Sequence, residues 1–184
     1  LMEKDWDIFK KYTNPYEYIH TNIPLKNYCV ASYSPLSRSY FKMIEVLHTF
    51  KIHDVPKDIR SFHLAEGPGG FIEALCNTRK NPRDTYYGMT IASDMNDPNV
   101  PGWKKTKNYL QQNKNIYLEY GSDNSGDILN IDNFVYVCEK YGSSMDIVTG
   151  DGGFDFSGDF NLQEVNISNL LFAQVAFALC LQKR

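Results

Sequence analysis

The sequence predicts an α/β domain of the Rossmann-like kind, a mostly parallel sheet covered by helices on both faces. Three observations predict it. Short apolar runs alternate with helical periods from residue 36 onward; two glycine turns, "AEGPGGF" (65–71) and "TGDGGF" (149–154), stand where such runs end; and 184 residues with 42% hydrophobic content suffice for one compact core.

Residues 1–35 are rich in Tyr, Asn and Pro without a period, which predicts an irregular extension with short helical turns before a domain at 36–184. After Pro35, Leu36, Tyr40, Met43, Ile44 and Leu47 form the stripe of a helix with one buried face, and Lys42 lies close to it. Segment 61–66 reads as a buried strand; the glycines then open a helix carrying Phe71, Ile72, Ala74 and Leu75. Segment 86–92 is a second strand, 93–102 a loop and 103–115 a polar stretch. Segment 116–121 reads as a third strand, 131–142 as a helix capped by Gly142, and 145–150 as a fourth strand ending in Asp-Gly-Gly. The run 170–181 is shorter than the roughly 20 residues of a spanning helix and is interrupted by Gln174, so it predicts a core helix and no membrane anchor.

A net charge of -3 and a pI near 5.8 provide no global attraction for a polyanion, so nucleic acid would need a local basic surface. Lys104, Lys105, Lys107 and Lys114 with Trp103 and Tyr109 have that composition, although a solvated helix face is the commoner origin of such a run. Tyr16 and Tyr18 offer aromatic faces that core packing explains more often. Cys29, Cys76, Cys138 and Cys180 are scattered, which predicts four buried thiols in a reducing, intracellular compartment. Neither these nor the histidines show metal-site spacing, so no metal is expected, and the charged, aromatic N-terminus does not read as a secretion signal.

In the first turn, Gly67 and Gly69 permit positive φ and let backbone amides approach a ligand, while Gly70 lets the following helix pack on the sheet. A dinucleotide fingerprint would need a third glycine where Ile72 stands. In the second turn, Asp151 sits at a strand end, where a carboxylate can hold a cation or orient a catalytic group. Lys42, the glycine turn and Asp151 are expected on one rim.

The segments "SRSYFKM", "AEGPGGF", "YGMT", "SGDIL" and "GDGGFDFSGDFNLQE", in this order, resemble the RrmJ/FtsJ-type RNA ribose 2′-O-methyltransferases, especially the mRNA cap enzymes of eukaryotes and large DNA viruses. The resemblance implies a methyltransferase of Rossmann-like fold, S-adenosyl-L-methionine as cofactor and capped mRNA as partner, in the cytoplasm or the nucleus. It implies that Glu66, Gly67, Pro68, Gly69, Gly70 and Phe71 form the cofactor loop, that Ser37 lies near the methionine end, and that Asp127 and Ile128 lie beside the adenine. Lys42 and Asp151 match the first lysine and the aspartate of a catalytic Lys-Asp-Lys-Glu set, and Asn161, Leu162 and Gln163 match an RNA-contacting segment. The second lysine and the glutamate of that set are expected beyond Arg184, with the last strands of the sheet; Lys183 reads as a solvated lysine. His63 stands where cap enzymes often carry an acid. Two rival readings are a non-catalytic RNA-binding scaffold of the same fold and a nicotinamide oxidoreductase.

Overall fold

A computed structural model describes residues 9–92, 102–153 and 163–184, with 163–166 as backbone only. A helical turn at 9–13 and a 3-10 turn at Pro15–Ile19 precede α1 (Ser39–Thr49). Then follow β1 (Arg60–Leu64), α2 (Gly70–Arg79), β2 (Thr85–Met89), α3 (Lys107–Gln112), β3 (Ile116–Glu119), α4 (Ile131–Tyr141), β4 (Ile147–Gly150) and α5 (Gln163–Leu181). The four strands are all parallel in the order β3-β2-β1-β4. After β3 the chain must cross back over β2 and β1 to reach β4. The order therefore reverses between β1 and β4, and the crevice outside their carboxyl ends is where such sheets bind ligands.

The sheet carries a core on each face, because successive strand side chains point to opposite sides. Phe62 and Leu64 pack with Met89, Val137, Leu170 and Phe177 beneath α4 and α5. Ile59, Tyr86 and Ile116 pack with Met43, Leu47, Ile72 and Leu75 beneath α1 and α2. The predicted stripe on α1 is the buried one: Met43 and Leu47 are inside, and Tyr40 and Ile44 lean on the core.

The structure departs from the sequence reading at several points. The polar stretch 103–115 contains a helix, α3, because Trp103, Tyr109 and Leu110 tie it to the core beside α2. The run 170–181 is only half a core helix: Leu170, Phe177 and Leu181 are buried, while Leu171, Phe172, Val175 and Leu179 are exposed. Cys138 and Cys180 are not free thiols but a disulfide joining α4 to α5, with Cα atoms 5.9 Å apart. They stand 42 residues apart in sequence, and only the packing of α4 beside α5 brings them together. Cys29 and Cys76 are free and partly exposed. The Lys183 ammonium pairs with Asp146 at 3.0 Å, at the amino end of β4. The loop at 93–102, apart from Gly102, lies outside the described residues.

Candidate active site

The reversal point brings Lys42 and Asp151 together. Asp151 follows the last residue of β4, and Lys42 lies one turn into α1, beside the buried Met43. The Lys42 ammonium donates to both carboxylate oxygens of Asp151, at 2.7 and 2.6 Å. Both side chains are open to solvent, 58% and 41% exposed, so the pair can meet a ligand. A lysine has three donors, and the bidentate contact leaves one N–H for another acceptor.

The turn after Asp151 is held from α5. Gln174 Oε1 accepts from the Gly152 amide at 2.9 Å, and Gln174 Nε2 donates to Leu170 O at 3.1 Å. A Cβ at Gly150 would run into Gln174, so the glycine makes room for it. Sequence reasoning took Gln174 only as an interruption; its signal was a lone amide in an apolar helix.

The glycine turn after β1 differs in detail from expectation. Of its glycines only Gly69 has positive φ, at 112°; it packs against Leu36, Trp103 and Thr106. Gly67 serves close approach instead: a Cβ there would lie 2.8 Å from Gly102 O and 3.0 Å from the Thr90 methyl. Gly70 packs not on the sheet but on the start of α1, where a Cβ would strike the hydroxyls of Ser37 and Ser39. The turn amides are not turned outward either. Gly69 N–H donates to Glu66 O at 2.7 Å, and the amides of Phe71 and Ile72 donate to Glu66 Oε1 at 2.8 and 2.9 Å. Glu66 thus caps α2 from inside. Burial pushes its carboxyl up to about 8, against those two amide bonds, and the nearby Asp151 charge adds to the rise.

Glu73, on the buried face of α2, holds the approach to α1. It accepts from Tyr33 Oη at 2.6 Å and from the Leu36 amide at 2.8 Å. This places Ser37 against Gly70 and fixes the origin of the helix that carries Lys42. The signal for it was one acid within the apolar string of α2. His63, by contrast, faces β4 and not the glycine turn. It is fully buried between Ser61 Oγ (2.8 Å) and Thr149 Oγ1 (2.7 Å), and burial lowers its pKa to about 3, so it is a neutral strand-to-strand link.

Asp127 and Ile128 come to the same rim through backbone contacts: the Ala92 amide donates to Ser125 O at 2.6 Å, and a Cβ at Gly126 would strike Thr90 O. Asp127 Oδ1 accepts from the Leu129 amide at 2.8 Å, and the Ile128 side chain belongs to the core. Asn133 anchors this loop, donating to Asp123 Oδ1, Ser125 Oγ and Asp127 O at 2.9–3.1 Å. Asn161 and Leu162 lie outside the described residues; Gln163 opens α5. Among the described residues no helix is long and apolar enough to cross a membrane, and no group of three or more metal-ligating side chains is gathered.

A parallel sheet with a glycine turn and an open Lys–Asp pair at its reversal point defines a Rossmann-like α/β domain. Residues 35–184 match the family model of FtsJ-like methyltransferases, and the chain belongs to that family. Its fold is shared with a ribosomal RNA methyltransferase from Plasmodium falciparum at a TM-score of 0.50 and 18% identity, over 78% of this chain and 70% of that one. It is 31% identical over 157 residues to cap-specific mRNA (nucleoside-2'-O-)-methyltransferase 2 of Danio rerio, covering 79% of this chain and 21% of the relative. To the protein of the same name from Pongo abelii it is 29% identical over 155 residues, 78% of this chain and 20% of the relative. A cap-specific mRNA (nucleoside-2'-O-)-methyltransferase of Autographa californica nuclear polyhedrosis virus is 28% identical over 120 residues, 65% of this chain and 42% of the relative. The chain thus spans about a fifth of the length of the first two relatives.

Proposed function

We propose that the chain carries the methyltransferase domain, at 36–184, of an RNA 2′-O-methyltransferase acting on the cap-proximal ribose of mRNA. The observation that supports this most is the bidentate Lys42–Asp151 contact beside the glycine turn, in a chain of the FtsJ-like family. FtsJ-like methyltransferases use S-adenosylmethionine, which supplies a methyl group already activated on a sulfonium. The turn fits such a ligand in one respect: Gly67 and Gly126 carry no Cβ where the chain runs close to Thr90, so the turn and the 125–128 loop approach the end of β2 tightly. Ser37, Glu66, Gly67, Pro68, Gly69, Gly70, Phe71, Asp127 and Ile128 are the residues assigned to hold it. Most of them act by shaping the rim, Glu66 through its cap on α2.

The chain's own chemistry then reduces to alignment and charge. Asp151 holds the Lys42 ammonium in place through its two contacts, and the remaining Lys42 N–H faces the acceptor oxygen. As the ribose hydroxyl loses its proton, that ammonium stabilises the negative oxygen. Asn161, Leu162 and Gln163, following the Asp151 turn, are assigned to the RNA.

The test uses the full-length protein, S-adenosylmethionine and capped RNA. Lys42→Ala and Asp151→Ala should cut transfer on the order of 10²–10³-fold and leave S-adenosylhomocysteine affinity within a few-fold. A wild-type protein that binds RNA but transfers no methyl group would be the scaffold instead. Response to NAD without S-adenosylhomocysteine binding would indicate the oxidoreductase.

A further inference from the structure

A cleft of about 390 Å³ opens directly from the Lys42–Asp151 pair. One side of it is α1. The other is the segment preceding residue 35, outside the part of the chain that matches the family. Three features of this second wall, and of Arg38 where α1 begins beside it, call for a purpose.

Tyr16 lines the cleft yet is 73% exposed, so its ring is not a core residue. Lys10 and Arg38 line the same cleft, and both are drawn to one buried-side acid: Glu17 lies 3.3 Å from Lys10 and 3.8 Å from Arg38, with His20 at 3.5 Å. The wall is also ordered by its own backbone. The Val30 amide donates to Tyr18 O and the Ala31 amide to Ile19 O, each at 3.0 Å, and Thr21 Oγ1 donates to Glu17 O at 2.7 Å. An exposed ring, two cations fixed by a shared carboxylate, and a rigid backing are the parts of a single-strand site: a stacking face with phosphate contacts beside it.

We propose that this wall binds the RNA strand next to the methylated nucleotide, with Tyr16 stacking on a neighbouring base and Lys10 and Arg38 taking the adjoining phosphates. This rests on the RNA 2′-O-methyltransferase reading and extends it to Tyr16 and Lys10, outside the family match, which meet Arg38 at the start of α1. The cleft is near the lower end of the roughly 300–1,000 Å³ of small-ligand sites, so it admits one unstacked nucleotide and excludes a duplex. Its charges nearly balance, with Lys10, Arg38 and Lys42 against Glu17, Glu45 and Asp151. Stacking therefore carries most of the grip, and Glu17 acts by holding the cations in place.

The test is a pair of measurements on the full-length protein. In methyl transfer, Tyr16→Ala should raise the KM for RNA about tenfold with kcat nearly kept, and Tyr16→Phe should restore it. Lys10→Ala should flatten the salt dependence of RNA binding by about one phosphate contact. S-adenosylhomocysteine affinity and melting temperature should not move in any of the three. In direct binding, fluorescence anisotropy with a short single-stranded RNA should show the same Tyr16→Ala loss, whether or not the protein transfers methyl groups. If transfer is absent but this loss is seen, the wall stands and the reaction assignment falls. If Tyr16→Ala binds RNA and turns over like wild type, or if a duplex binds as well as a single strand, the wall is not an RNA site.

Discussion

The two rims of the sheet each carry ion pairs of aspartate with a base, and they are built in opposite ways. At the amino rim, Asp84 and Asp146 immediately precede β2 and β4, and each reaches across to the start of β1. Asp84 accepts from the Ile59 amide at 2.9 Å, and Asp146 from the Arg60 amide at 3.0 Å. The Arg79–Asp84 pair is 3% and 0% exposed, and Asp84 also accepts from Tyr86 Oη at 2.9 Å. Burial alone would raise the Asp84 carboxyl, but Arg79, the Ile59 amide and Tyr86 hold it below its ordinary range. At the carboxyl rim, Lys42 and Asp151 are half open and, among the described residues, have no comparable set of fixed partners. A saturated pair ties strands together; an open pair keeps donors for something that arrives. On the function proposed above, that difference gives stability to one rim and chemistry to the other.

The largest effect that would break this contrast is expected at the amino rim. Asp84→Ala strands a buried guanidinium and should cost about 3–5 kcal/mol in urea unfolding. A loss below about 1 kcal/mol would mean the pair is not the clamp described here. Lys42→Ala should behave inversely, changing stability by no more than about 1 kcal/mol while methyl transfer falls on the order of 10²–10³-fold. Unfolding midpoints and transfer rates on the same preparations decide it.

Glu73 sharpens the contrast because it is buried yet serves the open rim. Glu73→Ala leaves the Leu36 amide without its acceptor and the Tyr33 hydroxyl with only Asn77, and should cost about 1–3 kcal/mol, with transfer reduced as Ser37 and α1 loosen. Loss of stability with unchanged turnover would place Glu73 with the structural rim. The smallest effect is the pH dependence from Glu66. Its folded pKa is raised from 4.5 to about 8, so the protonated form belongs to the folded state; the stability it contributes is full below 4.5 and is lost as pH rises through 8. Between pH 7 and 8.5 that amounts to about 1 kcal/mol. Denaturant midpoints should show this decline in wild type and not in Glu66→Gln.

How much of this could be read beforehand follows from the range of the interactions. The four strands, the helix after the glycine turn and the buried stripe of α1 were legible because burial imposes periods on neighbouring residues. The α3 helix was not, since its sequence is polar and its anchors are Trp103 and the chain it packs against. The glycine turn was legible as a tight turn into a helix. That its amides bond inward to Glu66, and that Gly70 faces α1, depended on which segment arrives from elsewhere.

By itself, the sequence determined the element types, the alternation that gives the sheet two covered faces, and the residue kinds at the strand ends, because these are set by contacts a few positions apart. The tertiary structure alone decided that Lys42 meets Asp151 across 109 residues, that Glu73 and Gln174 hold the two sides of that meeting, and that Cys138 faces Cys180. No local period encodes such pairings. They follow from the crossover that carries the chain from β3 back past β1, which brings distant side chains to one crevice only after the whole sheet has formed.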